Sequence, residues 1–439
     1  MVWEVSYICK RTVVSTKAVE PRKYFPLSVL DRHMENNHIK MVYYYQTSGE
    51  VELGEVTKKL RETLSEMLTH FPIVTGRLMR NERGHWKIKC NDAGVRVVEA
   101  KAKGSVEGWL TNLHREKELQ LVHWEDMYHK PYYWSTFYVQ LTEFEEGGLA
   151  IGLSCVHLLA DLTCAALFMK AWAEVSMGNK MVIPPLFHPL PPPRPRNRNP
   201  NNQPHMELIH HYKSLIEKPI SMNEARYTTI SLGFSDSMVQ ACMSMAQPKG
   251  PITPFEVLAA LFWVSLSKVK GLKNGLIDMS ICLDMRKVLG LDLGFFGNCM
   301  VYNKVHVEGN NCKFSQAVSA ISNVVAKMDT EGVMDLIEWL ENSDVSSPTL
   351  MNGHNLVCVS SEGVNPYLDL FQDWFKPIHV SYYMEPVLGE GQVLILPGSP
   401  GEGPLSRVAM LTLKEEEAIK LCEDDLLSQF STTILMKSQ

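Results

Sequence analysis

The 439-residue chain has no apolar run approaching the roughly 18 residues that a spanning helix needs, so none is expected. Residues 1 to 18 mix Glu4, Lys10, Arg11 and Lys17 with short apolar pieces, which is not the continuous core of a secretory signal. Clustered positive charge is also missing. The formal net charge is -6 and no basic stripe occurs, so nucleic acid is not an expected partner. The ten cysteines form no CxxC pair, and histidines such as His205, His210 and His211 have no zinc-like spacing with them. Buried free thiols in a reducing compartment, with no metal site, are the expectation. The glycine-containing loops lack the phosphate-loop lysine and the dinucleotide fingerprint, and no serine sits in a GxSxG elbow.

What the chain does contain is ordinary globular material, 45% hydrophobic and 21% charged. Its length favours two domains. Pro189, Pro191, Pro192, Pro193, Pro195 and Pro200 fall within one short stretch, which rules out a helix or a central strand there. The expected division is a lobe over 1–183, a proline-rich crossover over 184–206 and a second lobe over 207–439. Alternating and β-branched runs predict strands at 6–16, 41–46, 137–142 and 148–156 in the first lobe. Residues 86–90 and 95–100 flank Asn91-Asp92-Ala93-Gly94, whose composition suits a hairpin. Helical spacing marks 53–69 and 162–176, the latter with one core-facing surface. In the second lobe, Thr253-Pro254-Phe255-Glu256 reads as a capping box with proline in the first turn. Strands are expected at 227–232, 275–283, 299–307, 357–360, 378–382, 393–397 and 407–411. Residues 314–341 are expected to be largely helical, with a final helix from 414. Many strands with interspersed helices predict an α/β chain of two mixed-sheet lobes.

His157 lies where the apolar run 148–156 ends and a helical pattern begins. A neutral histidine there can take a proton from a hydroxyl or amine. Asp161, four residues on, could brace a loop, pair with an arginine or cap the helix. Alternatively, His157 is a buried side chain satisfied by backbone beside a capping aspartate. The local pattern leaves both readings open.

The order of motifs along nearly the whole chain resembles the plant BAHD acyltransferases. They are Leu27-Ser28-Val29-Leu30-Asp31, the run from Leu60 to Leu78, His157 to Asp161, the proline-rich crossover, Phe255 to Trp263, Asp284-Met285-Arg286 and Phe296-Gly297-Asn298. This resemblance implies the coenzyme A-dependent acyltransferase (chloramphenicol acetyltransferase-like) fold with a central channel. It also implies His157 as general base, with Asp161 paired to Arg286, and Asn298 and Trp374 as structural supports. Acyl-CoA would be a substrate or ligand; no permanently bound cofactor is expected. Two departures stand out. Leu162 replaces the glycine that normally follows HxxxD, where glycine would allow backbone angles and close approaches that leucine does not. Phe371-Gln372-Asp373-Trp374-Phe375-Lys376-Pro377 replaces Asp-Phe-Gly-Trp-Gly, so a different backbone course is expected.

These departures, with Val13 to Glu20, His38 to Tyr45, Cys90 to Ala100 and Gly147 to Asp161, look most similar to the eceriferum-type proteins of cuticular wax synthesis. That similarity implies an accessory protein of very-long-chain fatty acid elongation. Its partner would be the 3-ketoacyl-CoA synthase of the elongase, with long-chain acyl-CoA as a further ligand. Its place would be the cytosolic face of the endoplasmic reticulum, as a peripheral protein, or the cytosol. The alternative is an acyl-CoA-dependent O- or N-acyltransferase using His157. An altered output on His157→Ala would separate the two.

Overall fold

The computed structural model describes residues 5–20, 23–46, 53–191, 206–217, 226–247, 250–272, 275–307, 313–343, 353–371, 376–430 and 432–436. The chain divides into two compact units. The first comprises Met1–His188, Asp292–Asn298 and Val364–Glu385. The second comprises Pro189–Leu291, Cys299–Gly363 and Pro386–Gln439.

The first unit is built on a six-stranded mixed sheet in the order β1-β6-β7-β8-β3-β13. Its strands are β1 (Val5–Val13), β3 (His38–Tyr45), β6 (Val95–Ala102), β7 (Phe137–Phe144), β8 (Leu149–Val156) and β13 (Pro377–Glu385). All these pairs are antiparallel except β6 with β7. A three-stranded sheet, β2 (Tyr24–Pro26), β5 (Trp86–Lys89) and β4 (Arg77–Arg80), stands apart. The unit's helices are α1 (Val29–Arg32), α2 (Leu53–Leu68), α3 (Val106–Thr111), α4 (Arg115–Glu118) and α5 (Leu162–Ser176). The single cut expected near the proline-rich stretch is therefore interrupted. Residues 364–385 lie with the first unit because β13 hydrogen-bonds along β3, from Tyr45 opposite Pro377 to His38 opposite Glu385, and residues 292–298 because Phe295 bridges Leu186 and Asn298 N donates to Asp31. Most of the expected crossover, residues 192–205, lies outside the described residues.

The hairpin expected at 91–94 does not form. β5 pairs in the small sheet and β6 in the large one, so the turn hands the chain from one sheet to the other. Its polar groups are claimed by other segments. The Asp92 carboxylate accepts from Ser15 N (3.1 Å) and Ser15 Oγ (2.8 Å), and the Arg77 guanidinium donates to the Ala93 and Gly94 carbonyls. Gly94 adopts φ +80°, and a Cβ there would lie 2.5 Å from the Val13 carbonyl oxygen. The composition signalled the turn correctly; the partners were set by distant chain.

Helix α5 is buried all round rather than on one face, with twelve of its fifteen residues buried. Such a helix forms the interior of its unit rather than its surface. Phe168 packs edge-on against Phe71 at 5.4 Å, and the Trp172 indole N–H donates to the Leu60 carbonyl at 3.1 Å.

The second unit holds a seven-stranded sheet in the order β11-β10-β12-β14-β15-β9-β16. These are β9 (Tyr227–Phe234), β10 (Met279–Asp284), β11 (Met300–Val305), β12 (Leu356–Ser360), β14 (Gln392–Pro397), β15 (Arg407–Lys414) and β16 (Thr433–Met436). Its helices are α6 (Met206–Glu217), α7 (Asp236–Ala246), α8 (Pro254–Val269), α9 (Phe314–Lys327), α10 (Thr330–Asn342), α11 (Glu415–Cys422) and α12 (Asp425–Ser428). Helix α8 starts as its sequence dictates: Glu256 N donates to Thr253 Oγ1, and Thr253 N donates back to the Glu256 carboxylate at 2.7 Å. Residues 314–341 break into two helices because Asp329 caps the second, accepting from Gly332 N at 2.8 Å. Among the described cysteines all are free, and seven are buried; Cys422 is exposed.

Candidate active site

His157 follows directly on β8, the innermost run of the large sheet, in which every residue is buried. Its backbone N–H donates to the Asn37 carbonyl at 2.9 Å, which ties it to the start of β3. Its carbonyl accepts from Asn298 Nδ2 at 2.8 Å. Asn298 is itself held by Asp31: the Asp31 Oδ1 atom accepts from both Asn298 N and Asn298 Nδ2, each at 2.8 Å. The second Asp31 oxygen accepts from Ser28 N at 2.7 Å, closing the capping box of α1. The three motifs Leu27–Asp31, Phe296–Asn298 and His157–Asp161 thus meet in one chain of hydrogen bonds. Each end of the His157 backbone is pinned, and the side chain is left to other uses.

The ring is fully buried, and neither Nδ1 nor Nε2 makes a hydrogen bond of ordinary geometry. Burial lowers its pKa, outweighing the upward pulls of Asp161, of its own carbonyl and of the Asn298 amide. A neutral imidazole is therefore the resting form at neutral pH, which a general base requires. The backbone-satisfied alternative holds for the main chain of His157 and not for its ring.

Asp161 is the N-cap of α5. Its carboxylate accepts from Cys164 N at 2.9 Å. Cys164 in turn sits against the 292–298 segment: Gly297 N donates to its sulfur at 3.3 Å, and its thiol donates to the Gly297 carbonyl at 3.4 Å. Leu162 occupies the first helical position, fully buried, and is not among the residues with positive φ. An ordinary helical backbone accepts leucine there, so that departure from the family pattern carries no strain.

Arg286 belongs to the second unit, where its guanidinium donates to the Asp284 carboxylate at 2.7 Å and its N–H to the other oxygen at 2.9 Å. Trp374 lies outside the described residues, as do Gln372, Asp373 and Phe375. Phe371, standing where the family's leading aspartate would, is fully buried between the rings of Tyr45 (5.6 Å) and Trp172 (5.0 Å). It has become a core residue. Asp369 is buried beside it; burial raises its pKa, and neither carboxyl oxygen has a hydrogen bond of ordinary geometry.

The residues that hold His157 without being singled out as site residues are Asn37 directly and Asp31 and Ser28 through Asn298. Ser28 and Asp31 carried a readable signal, the Ser-x-x-Asp capping pattern. Asn37 acts through its carbonyl, which no side-chain pattern marks.

A second polar group lies on the face of the large sheet that carries His38, Lys40 and Tyr44. His38 pairs in register with Val156 and stacks on Trp124 at 4.5 Å. On the same face of β13, in register with His38 and Lys40, Glu385 forms an ion pair with Arg115, and the Tyr383 hydroxyl donates to Glu118. The Tyr44 hydroxyl donates to the other Glu118 oxygen at 2.9 Å. Burial pushes Glu118 up to about 7 despite the hydroxyl donors and Arg115. Because the folded chain holds this proton more tightly than the unfolded chain, the associated stability is present below about pH 4.5 and is lost as pH rises through about 7. Glu118→Gln removes that dependence. Its stability relative to wild type is expected to improve by up to about 3 kcal/mol between pH 5 and pH 8, as read by urea melts across that range. A difference that stays flat with pH would show that Glu118 is ionised throughout.

The comparisons with known proteins agree with this construction. The Transferase family model matches residues 4–425. A hydroxycinnamoyltransferase of Narcissus pseudonarcissus is 25% identical over 94% of this chain and 97% of its own. Protein ECERIFERUM 2 of Arabidopsis thaliana is also 25% identical, over 94% of this chain and 96% of its own. Among solved structures, vinorine synthase superposes with a TM-score of 0.74 at 19% identity, covering 99% of both chains. The TRI101 protein of F. sporotrichioides, complexed with coenzyme A and T-2, gives 0.70 at 17% identity over 94% of this chain and 100% of that one. The chain belongs to the Transferase family, as a plant BAHD-type (HXXXD) acyltransferase member. Its two mixed-sheet units have the fold of the coenzyme A-dependent acyltransferases. Equal identity to the hydroxycinnamoyltransferase and to ECERIFERUM 2 does not single out the eceriferum subgroup.

Proposed function

We propose that the protein is an acyl-CoA-dependent O- or N-acyltransferase with His157 as general base. One observation carries this reading: a buried, neutral imidazole whose backbone is pinned at both ends while neither ring nitrogen makes a hydrogen bond of ordinary geometry. A merely structural histidine would spend at least one nitrogen on a partner. The ring takes the proton of the acceptor hydroxyl or amine as its oxygen or nitrogen attacks the thioester carbonyl. The tetrahedral intermediate collapses with cleavage of the C–S bond, and the imidazolium returns the proton to the departing thiolate. Asp161, Asn298 and Arg286 keep the supporting roles that the family resemblance implies, as does Trp374. Acyl-CoA as substrate is supported by the coenzyme A complex of the TRI101 relative in fold.

The test is release of free thiol from acyl-CoAs of graded chain length, with alcohol and amine acceptors, using the purified chain. Acceptor-dependent release that disappears in His157→Ala is expected. Absence of release with every acyl-CoA and acceptor pair would remove the reading.

A second reading is the accessory role in very-long-chain elongation beside a 3-ketoacyl-CoA synthase at the endoplasmic reticulum. The burial of Phe371 in place of the motif aspartate favours it, as does the similarity to ECERIFERUM 2. Co-expression with condensing enzymes then lengthens their products equally with wild type and His157→Ala. Loss of lengthening in His157→Ala would return the weight to catalysis.

A further inference from the structure

The chain is acidic overall, yet one face of its first unit is basic and aromatic. The small sheet β2-β5-β4 puts Phe25, Ile88 and Leu78 in register on one side and Tyr24 and Lys89 on the other, with Lys87 following Lys89 on that outer side; Arg77, opposite Lys89, is buried against backbone carbonyls and adds nothing to the exposed charge. The loop after Met127 brings Lys130, Tyr132 and Tyr133 to the same place. The Lys89 ammonium donates to the Tyr132 hydroxyl at 2.9 Å and lies 5.4 Å from that ring's centroid. The Lys87 ammonium lies 4.6 Å from the Tyr24 centroid. Tyr132 and Tyr133 meet edge to face, and Tyr133 is 71% exposed.

Among the described residues no ion pair engages Lys87, Lys89 or Lys130. The acidic groups nearby are few. Glu20 and Asp92 line a shallow depression with Lys89, but Asp92 is bound by Ser15. Glu35 is paired with Arg80, and Glu82 is exposed in the turn between β4 and β5. Ammonium groups without carboxylate partners, resting on phenol rings, are therefore the character of this face.

We propose that this face docks the protein on an anionic membrane surface. Lysines supply attraction to acidic headgroups, and exposed tyrosines suit the boundary between water and acyl chains, where one end is wet and the other apolar. Charge complementarity selects the lipid: a neutral bilayer offers nothing to the ammonium groups. No helix among the described residues is long and apolar enough to cross a membrane, so attachment here is from one side. This docking is independent of His157 and of either reading of its chemistry.

The test is co-sedimentation of the full chain with vesicles of phosphatidylcholine alone and of phosphatidylcholine with phosphatidylserine, at low and high salt. Binding to the serine-containing vesicles only, lost at high salt, is expected. The double variant Lys87→Glu, Lys89→Glu should lower partitioning by about twenty-five-fold or more, since each basic residue near an acidic surface contributes about fivefold. Tyr132→Ser with Tyr133→Ser should weaken binding while leaving its salt dependence. Circular dichroism verifies that each variant is folded. Equal binding to both vesicle types, binding unchanged by the charge reversal, or no binding by the wild type would each overturn the proposal. Failure on vesicles together with Lys87- and Lys89-dependent capture by polyglutamate would assign the face to an acidic protein instead.

Discussion

His157→Ala is expected to lower acyl transfer about a thousandfold while leaving stability nearly unchanged. The first part follows from the loss of the base. The second follows from the condition of the ring. A buried ring nitrogen without a well-formed hydrogen bond costs about 1–3 kcal/mol in the folded state, whereas truncating a buried ring leaves a cavity worth a similar loss. The two effects oppose one another. His157→Leu separates them, since it keeps most of the volume and deletes both nitrogens. We expect it to be inactive and more stable than wild type by about 1–2 kcal/mol in urea melts. Because the folded-state pKa of His157 lies below 6.5, the wild type also loses stability as pH falls below that value. The advantage of the leucine variant should therefore widen on acidification. If His157→Leu instead loses several kcal/mol, the ring is a structural partner, and its availability as a base is disproved.

Asp31→Ala is expected to be the most damaging single change to the architecture of the site. One carboxylate accepts from Asn298 N, Asn298 Nδ2 and Ser28 N, all within a buried environment. Its removal strands three donors, at a cost of about 4 kcal/mol once non-additivity is allowed for. The loss also spreads. Asn298 then has nothing to orient the amide that holds the His157 carbonyl, so activity falls although Asp31 takes no part in the chemistry. Asp31→Asn keeps one acceptor oxygen and turns an N–H toward the other donors; about half the destabilisation is expected. Urea melts and acyl-transfer rates measured on the same preparations check both points. Full stability in Asp31→Ala would mean that Asn298 is held by other contacts.

Most of the secondary structure was legible because its signals are local. The Thr253 box, the period of 53–69 and the alternating runs of β7 and β8 each depend on neighbours in sequence. What was not legible depends on distant chain. The 91–94 turn looked like a hairpin because nothing local reveals that Ser15 and Arg77 take its polar groups. Strand β16 and helix α6 were missed outright; they are weak in pattern and are defined by the sheet and helices they pack on. For the site, the pattern found His157 and Asp161 but left open what each does. Asp161 proved to cap α5, and the pinning of His157 fell to Asp31 and Asn298, 267 residues apart. Only the folded chain brings them together. The concern over Leu162 came from a glycine expectation that an ordinary helix start does not need.

Strand β13 has a consequence for how the molecule is made. The large sheet of the first unit ends with Pro377–Glu385, so it cannot be finished until the ribosome has passed residue 385 of 439. Until then the edge of β3 stands open with its hydrogen-bonding groups unpaired, an invitation to wrong pairing while the intervening chain emerges. For the same reason, a nick between 192 and 205 would not release two self-sufficient halves. The fragment ending there would lack an edge strand that the other fragment carries.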